Sequence, residues 1–184
     1  MKISVFLFAI CSCILISSCV TFNQFDSEVK KGKSNDEVFI IKKNGEKLTG
    51  SKITQPSSMS QADWFKIDGQ KVERKDIAAY QDKKAYHAMT VIAGDIQRLR
   101  AGKINLYYFD SYSNATNGGY TSHFLFEKEK GKFVNINYNN FADAVSDNPA
   151  AIAKLQEVFP HSTIPNGEKA KLYGLVSVVD IYNQ

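Results

Sequence analysis

Short runs of alternating apolar and polar residues, separated by turn formers, make up the chain from Glu37 to Asn137. Asn44-Gly45 and Asp68-Gly69 are strong hairpin signals, because two-residue hairpin turns need positive φ. Strands this closely spaced predict an antiparallel β-meander, and we expect about six to nine short strands in its sheet. The candidate strand segments are Glu37–Lys43, Lys47–Thr54, Trp64–Ile67, Gln70–Val72, Asp76–Gln81, Ala85–Val91, Ile96–Leu99, Lys103–Phe109, Tyr120–Glu127 and Lys132–Asn137.

The hydrophobic period becomes helical after Asn139. Asn148-Pro149 predicts the start of a helix over Pro149–Phe159, since Asn caps helices and Pro fits their first turn. Residues 141–145 are expected to form a short helical turn before it. A second helix is predicted over Glu168–Tyr182, although Gly174 and several β-branched residues leave a terminal strand as the alternative. Its apolar face would contain Leu172, Leu175, Val176, Val179 and Tyr182.

These elements predict an α+β fold, with a sheet followed by C-terminal helices. We expect one globular domain over residues 37–184, β-rich at 37–137 and helical at 139–184. Residues 19–36 contain few apolar side chains and end in the charged sequence KKGKSND, which is typical of a flexible tether. Phe22 and Phe25 leave docking of part of this segment on the lipid interface or on the domain as the alternative. Fully extended, this tether would reach about 50–60 Å.

The first nineteen residues carry a different pattern. Lys2 precedes an uncharged and almost wholly apolar run at 3–16, and Ser17, Ser18 and Cys19 follow. These are the three regions of a secretory signal peptide, so we expect a signal helix within residues 1–18. A transmembrane anchor is the alternative, but it needs about 20 apolar residues and this run is shorter.

The sequence Ile16-Ser17-Ser18-Cys19 resembles the lipobox of bacterial lipoproteins. The resemblance implies cleavage between Ser18 and Cys19 and acylation of the Cys19 thiol. Two or more acyl chains hold a protein stably on a membrane, so Cys19 would be a lasting anchor. An ordinary secretory signal cut nearby is the alternative. In families that retain lipoproteins at the inner membrane, Asp often follows the cysteine; Val20 therefore favours the outer membrane.

The mature chain also resembles uncharacterised cell-envelope lipoproteins. The similar motifs are the hairpins with Asp-Gly turns, DIAAYQD at 76–82, GKINLYYF at 102–109 and DNPAAIAKL at 147–155. They cover most of the mature chain and imply an architecture, without a chemical mechanism.

Cysteine content agrees with this interpretation. Cys11 and Cys13 lie in the apolar run, so the mature body would contain no thiol beyond Cys19. Internal disulfides and cysteine-based catalytic or metal sites are thereby excluded from the body. The mature chain has 22 basic and 19 acidic residues, and its lysines are interleaved with acids. This pattern predicts a solvated surface, and we expect no nucleic-acid partner.

Signatures of catalysis are absent from the sequence. His87, His123 and His161 stand far apart, and neither HExxH nor GxSxG occurs. We therefore predict no catalytic residues, no metal ligands and no cofactor. Ser111 and Ser113 lie near Asp110 and His123, which is a weak basis for a catalytic triad.

One group of aromatic residues has functional interest. Tyr108, Tyr112 and Tyr120 flank the loop at 111–119, which is rich in Ser, Asn, Thr and Gly. Such rings can stack on sugars or peptides, so these three tyrosines are candidate ligand-binding residues; the alternative is that they are core residues and cross-strand pairs.

The leading hypothesis is a lipid-anchored, non-enzymatic binding or structural component of the bacterial cell envelope, with an envelope protein or glycan as its partner. An envelope hydrolase acting on cell-wall or glycan material is one alternative. A binder of sugars or small ligands that uses the aromatic residues is another.

Overall fold

The computed structural model describes residues 26–55, 63–91, 93–113, 119–164 and 168–184. The predicted signal helix and Cys19 lie outside these residues. The α+β class is confirmed: strands dominate the described chain up to Asn135, and helices follow. Glu168–Tyr182 is a helix, which excludes the alternative of a terminal strand.

Eleven strands are present in the described residues, in two antiparallel sheets. The large sheet has the order β11-β10-β9-β8-β7-β6-β1-β2, so β6 to β11 form a continuous meander. The small sheet has the order β3-β4-β5. The strands are β1 (Val38–Lys42), β2 (Lys47–Gly50), β3 (Ile53–Thr54), β4 (Trp64–Ile67), β5 (Gln70–Glu73), β6 (Ile77–Gln81), β7 (Tyr86–Thr90), β8 (Gly94–Arg100), β9 (Asn105–Ser113), β10 (Gly119–Glu127) and β11 (Phe133–Asn135).

The small sheet exists because the predicted strand Lys47–Thr54 is divided in two. The Asp68 carboxylate accepts hydrogen bonds from the backbone N–H groups of Ser51 (2.9 Å) and Lys52 (3.1 Å). These bonds draw the chain away from the large sheet after Gly50. Asp68 and Gly69 both have positive φ, at 46° and 91°, as the predicted two-residue turn between β4 and β5 requires.

Four α-helical segments and one short 3-10 helix, Arg74–Asp76, accompany the sheets in the described residues. Residues 26–31 are helical (α1), and the others are α2 (Tyr138–Ala144), α3 (Pro149–Val158) and α4 (Glu168–Tyr182). Asn148 caps α3 as predicted, since its side chain accepts from the N–H groups of Ala150 and Ala151. No helix in the described part of the chain is long and apolar enough to cross a membrane.

One face of the large sheet carries both covering layers, and we call it the covered face. Leu106 of β9 and Phe126 of β10 belong to a core shared with the buried face of α4. Ile40 of β1 and Tyr80 of β6 belong to a second core, shared with the small sheet. The helices therefore cover one end of this face and the small sheet covers the other end.

Residues 26–36, which the sequence interpretation places in the tether, lie against the domain, and we call them the docked arm. Val29 is buried in the helical core, and the buried carboxylate of Glu28 pairs with Lys31 and Arg100. The Gln81 side chain accepts from the Ser34 N–H (2.8 Å) and donates to the Glu37 carbonyl (2.8 Å). The composition of the arm is polar because its contacts are mostly hydrogen bonds and ion pairs.

Candidate ligand-binding groove

The opposite face of the large sheet, which we call the open face, is formed by the alternate residues of the same strands. On β9, Tyr107 is buried there and Phe109 is half-buried, whereas Leu106 and Tyr108 contact the helical core. Ala88, Ile96 and Leu125 join Tyr107 in a small cluster. The open face is therefore apolar at its centre.

A groove of about 820 Å³ runs across this open face. Residues of seven strands that are neighbours in the sheet, β1 and β6 to β11, line it. At the usual spacing of strands this is a length of about 29 Å. A groove of this shape suits one extended chain better than a compact molecule. Its apolar wall includes Ile41, Ala79, Tyr86, Ala88, Tyr107 and Phe133.

Arg98 of β8 provides a cation in the wall of the groove. It is only 7 % exposed, and its guanidinium lies 3.7 Å from the centre of the Tyr86 ring. Its Nε donates to the Gly32 carbonyl and its Nη2 to the Ser34 hydroxyl, both at 2.7 Å. No carboxylate among the described residues forms an ion pair with Arg98. Three of its five N–H donors also lack a partner there.

A buried arginine normally has an acidic partner, because removing its charge from water is costly. Arg98 instead has two neutral acceptors and an aromatic ring. The wall of the groove therefore combines a positive charge with unused hydrogen-bond donors, which is an arrangement that favours an anionic group.

Glu127, the one acid among the described residues that line the groove, is occupied by internal contacts. Glu127 is 8 % exposed and accepts from the Tyr107 hydroxyl and the Asn105 amide, both at 2.9 Å. Its other oxygen accepts from the Gly131 N–H at 2.6 Å. Burial, with the nearby Glu127 charge, raises the pKa of Tyr107 far above its usual value, so the phenol stays a donor.

Lysines line the rest of the groove. Lys128 and Lys132 form ion pairs with Asp147 and Glu129, respectively. Lys43, Lys103 and Lys130 are exposed, and the described part of the chain supplies no ion pair to them. The groove thus has an apolar wall, a buried arginine and three unpaired lysines.

Of the three tyrosines selected from the sequence, Tyr108 has a described side chain, and it does not lie in this groove. Tyr108 is half-buried on the covered face, where it contacts the helical core and lines a separate small cavity. Tyr112 and Tyr120 are partners in the register of β9 and β10, but their side chains lie outside the described residues. The ligand-binding role of the three tyrosines stays a prediction, as does the lipidation of Cys19.

Two polar pairs form near these tyrosines. The Ser111 hydroxyl lies 2.7 Å from His123 Nε2, and the Ser122 hydroxyl donates to Asp110 at 2.6 Å. No carboxylate among the described residues bonds to His123, so a Ser–His–Asp relay is not assembled there. Nor do any three His, Cys, Asp or Glu residues of the described chain lie close enough to share a metal ion.

The residues that distinguish the groove carry weak sequence signals. Arg98 is one of three arginines, and its neighbours Gln97, Leu99 and Arg100 form no recognised motif. Its burial depends on the docked arm, which supplies Gly32 and Ser34 from more than sixty positions earlier in the chain. A contact at this sequence distance has no local pattern from which it could be predicted.

Comparison with protein-family models, curated proteins and solved structures returned no match for this chain.

Proposed function

We propose that this chain is a lipid-anchored protein of the bacterial cell envelope that binds an anionic lipid in the groove of its open face. The observation that carries the binding part is Arg98, a buried cation with unused donors and no acidic partner in the described chain. A phosphate headgroup would accept from those donors. The apolar wall would contact an acyl chain, and burial of each CH₂ group contributes about 0.8 kcal/mol.

The docked arm supports the connection between anchor and groove. Because residues 26–36 lie on the domain, only the steps from Cys19 to Asp26 separate the anchor from it. This segment reaches at most about 25 Å when extended. Acylated Cys19 would therefore keep the groove close to the lipid surface, where an anionic lipid is available.

The anchor is tested by incorporation of labelled palmitate into the full chain and into Cys19→Ala. We expect label in the wild type and none in the variant, together with a shift of the variant to the soluble fraction. Label that persists in Cys19→Ala would refute the lipobox assignment.

The groove is tested by native mass spectrometry of the lipidated protein, extracted from membranes in a mild detergent. We expect a bound anionic phospholipid on the wild type and at least a fivefold loss of it in Lys103→Gln/Lys130→Gln. Lys83→Gln/Lys84→Gln is the matched control, since these exposed lysines lie in the β6–β7 turn outside the groove.

Equal lipid occupancy in the two double variants would show that the groove lysines do not recognise the lipid. Absence of any bound phospholipid on the wild type would refute lipid binding and would leave the result for the Cys19 anchor unaffected.

A further inference from the structure

A second site lies on the covered face, where the two covering layers leave a gap. Four residues lie side by side in register across β6 to β9: Tyr80, His87, Gln97 and Tyr108. Tyr80 contacts the small sheet, and Tyr108 contacts the helical core. The middle of the row therefore lies between the two layers, at a cavity of about 220 Å³ that we call the polar cleft.

A hydrogen-bonded array fixes the histidine in this cleft. Asp95 accepts from the Tyr80 hydroxyl at 2.5 Å through one oxygen, and its other oxygen lies 2.8 Å from His87 Nδ1. The Tyr80 ring stacks on the His87 ring, with centroids 4.3 Å apart and planes at 6°. Because a carboxylate only accepts, Nδ1 carries the hydrogen in neutral His87, and Nε2 is then an acceptor.

His87 is 8 % exposed and lines the cleft, yet its Nε2 has no hydrogen-bond partner among the described residues. A buried polar atom is normally satisfied, so this nitrogen points to a ligand. Asp110 also lines the cleft, and only one of its oxygens has a partner in the described chain, the Ser122 hydroxyl.

The charges of the cleft have one sign. Among the described residues, Asp95 and Asp110 line it and neither Lys nor Arg does, in a chain that carries 23 basic residues. Burial, with the charges of Asp110 and Asp26, raises the pKa of Tyr108 to about 12, which agrees with a negative potential. The described side chains do not assemble three metal ligands, so an organic cation fits better than a metal ion.

We propose that the polar cleft binds a small molecule through a primary ammonium group. The three N–H donors of such a group match the acceptors offered by His87 Nε2, the Asp110 carboxylate and the Gln97 amide oxygen. The half-buried ring of Tyr108 lines the same cavity and would contact the carbon part of the ligand. The volume equals that of about seven water molecules, which limits the ligand to a small molecule.

The test compares cyclohexylammonium with cyclohexanol, two probes of seven non-hydrogen atoms that differ in one group. Binding to the full lipidated protein in detergent is followed by saturation-transfer NMR. We expect saturable binding of the amine and at least tenfold weaker binding of the alcohol. Asp110→Asn should weaken binding of the amine at least fivefold, while the shape and the acceptor for Ser122 are kept.

Asp143→Asn is the control, because it removes the same charge from an exposed position of α2 outside the cleft. Equal affinity for the two probes, unchanged affinity in Asp110→Asn, or no saturation by the amine at millimolar concentrations would each overturn the proposal. None of these results depends on the groove of the open face.

Discussion

Replacement of Gly32 by alanine tests whether the arm is held by close contact with β8. A Cβ at this position would lie 1.8 Å from the carbonyl oxygen of Arg98 and 2.5 Å from its carbonyl carbon. Both atoms belong to the backbone of a paired strand and cannot rotate away. The φ of Gly32 is not in the left-handed region, so alanine itself is not strained there.

The expected loss of stability follows from the contacts that the arm would lose. Burial of Val29 contributes about 1.5–3 kcal/mol, and the hydrogen bond from Arg98 to Gly32 contributes about 1.5–3 kcal/mol because its donor is charged. The released arm regains conformational freedom, which offsets part of this loss. We expect a net destabilisation of about 3 kcal/mol, which lowers Tm by about 6–12 °C in a domain of this size.

Calorimetry gives the change in Tm, and hydrogen exchange of the arm amides reports its release. In Gly32→Ala the Ser34 amide, which donates to Gln81, should lose its protection. Lys30→Ala changes an exposed residue of the same arm and should leave both measurements near the wild type. A protected Ser34 amide together with a Tm within 1 °C of the wild type would refute the close-contact argument.

Two further changes test the docked arm and the helical layer. Burial opposes ionisation of Glu28, but the hydrogen bonds from Lys31 and Arg100 outweigh burial and lower the pKa of Glu28 below the usual 4.5. The ionised Glu28 therefore contributes its full stabilisation above about pH 4.5, and this stabilisation is lost as the pH falls through the lowered pKa. Urea unfolding should show the wild type losing its advantage over Glu28→Gln below this pH, and a constant difference from pH 7 to pH 3 would contradict the assignment. Gly174→Ala places a Cβ 2.4 Å from the Phe159 ring and should lower the free energy of unfolding by about 1–3 kcal/mol in the same assay. Adding Phe159→Leu to this variant should recover part of that loss only if the clash is the cause.

Local sequence patterns were sufficient to predict most elements of the fold. Trp64–Ile67 is a strand at the predicted bounds, and Glu168–Tyr182 is a helix at the predicted bounds. The β-branched residues of that helix do not prevent it, because tertiary burial overrides propensity. Val178 and Val179 are both fully buried, one beside the other in the chain, so this helix is covered over a wide arc.

Features that depend on contacts between positions far apart in the chain could not be predicted from the sequence. The docked arm depends on Gln81 and Arg98, and its polar composition resembles that of a free tether. The division of the predicted strand Lys47–Thr54 depends on the Asp68 carboxylate. In the sequence, Asp68 indicated only its own hairpin turn. His87 and Asp95 are eight positions apart on neighbouring strands, a spacing that predicts nothing until the register is known.

The order of strands in the large sheet has a consequence for how the chain folds. Strands β6 to β11 follow one another both in sequence and in space, so each of their pairings closes only a short loop and carries a small entropic cost. Pairing of β1 with β6 must close a loop that holds the entire small sheet, and the arm reaches β8 across 66 positions. We expect the hairpins of β6 to β11 to form first, so that the arm, which precedes them in the chain, joins the native structure last.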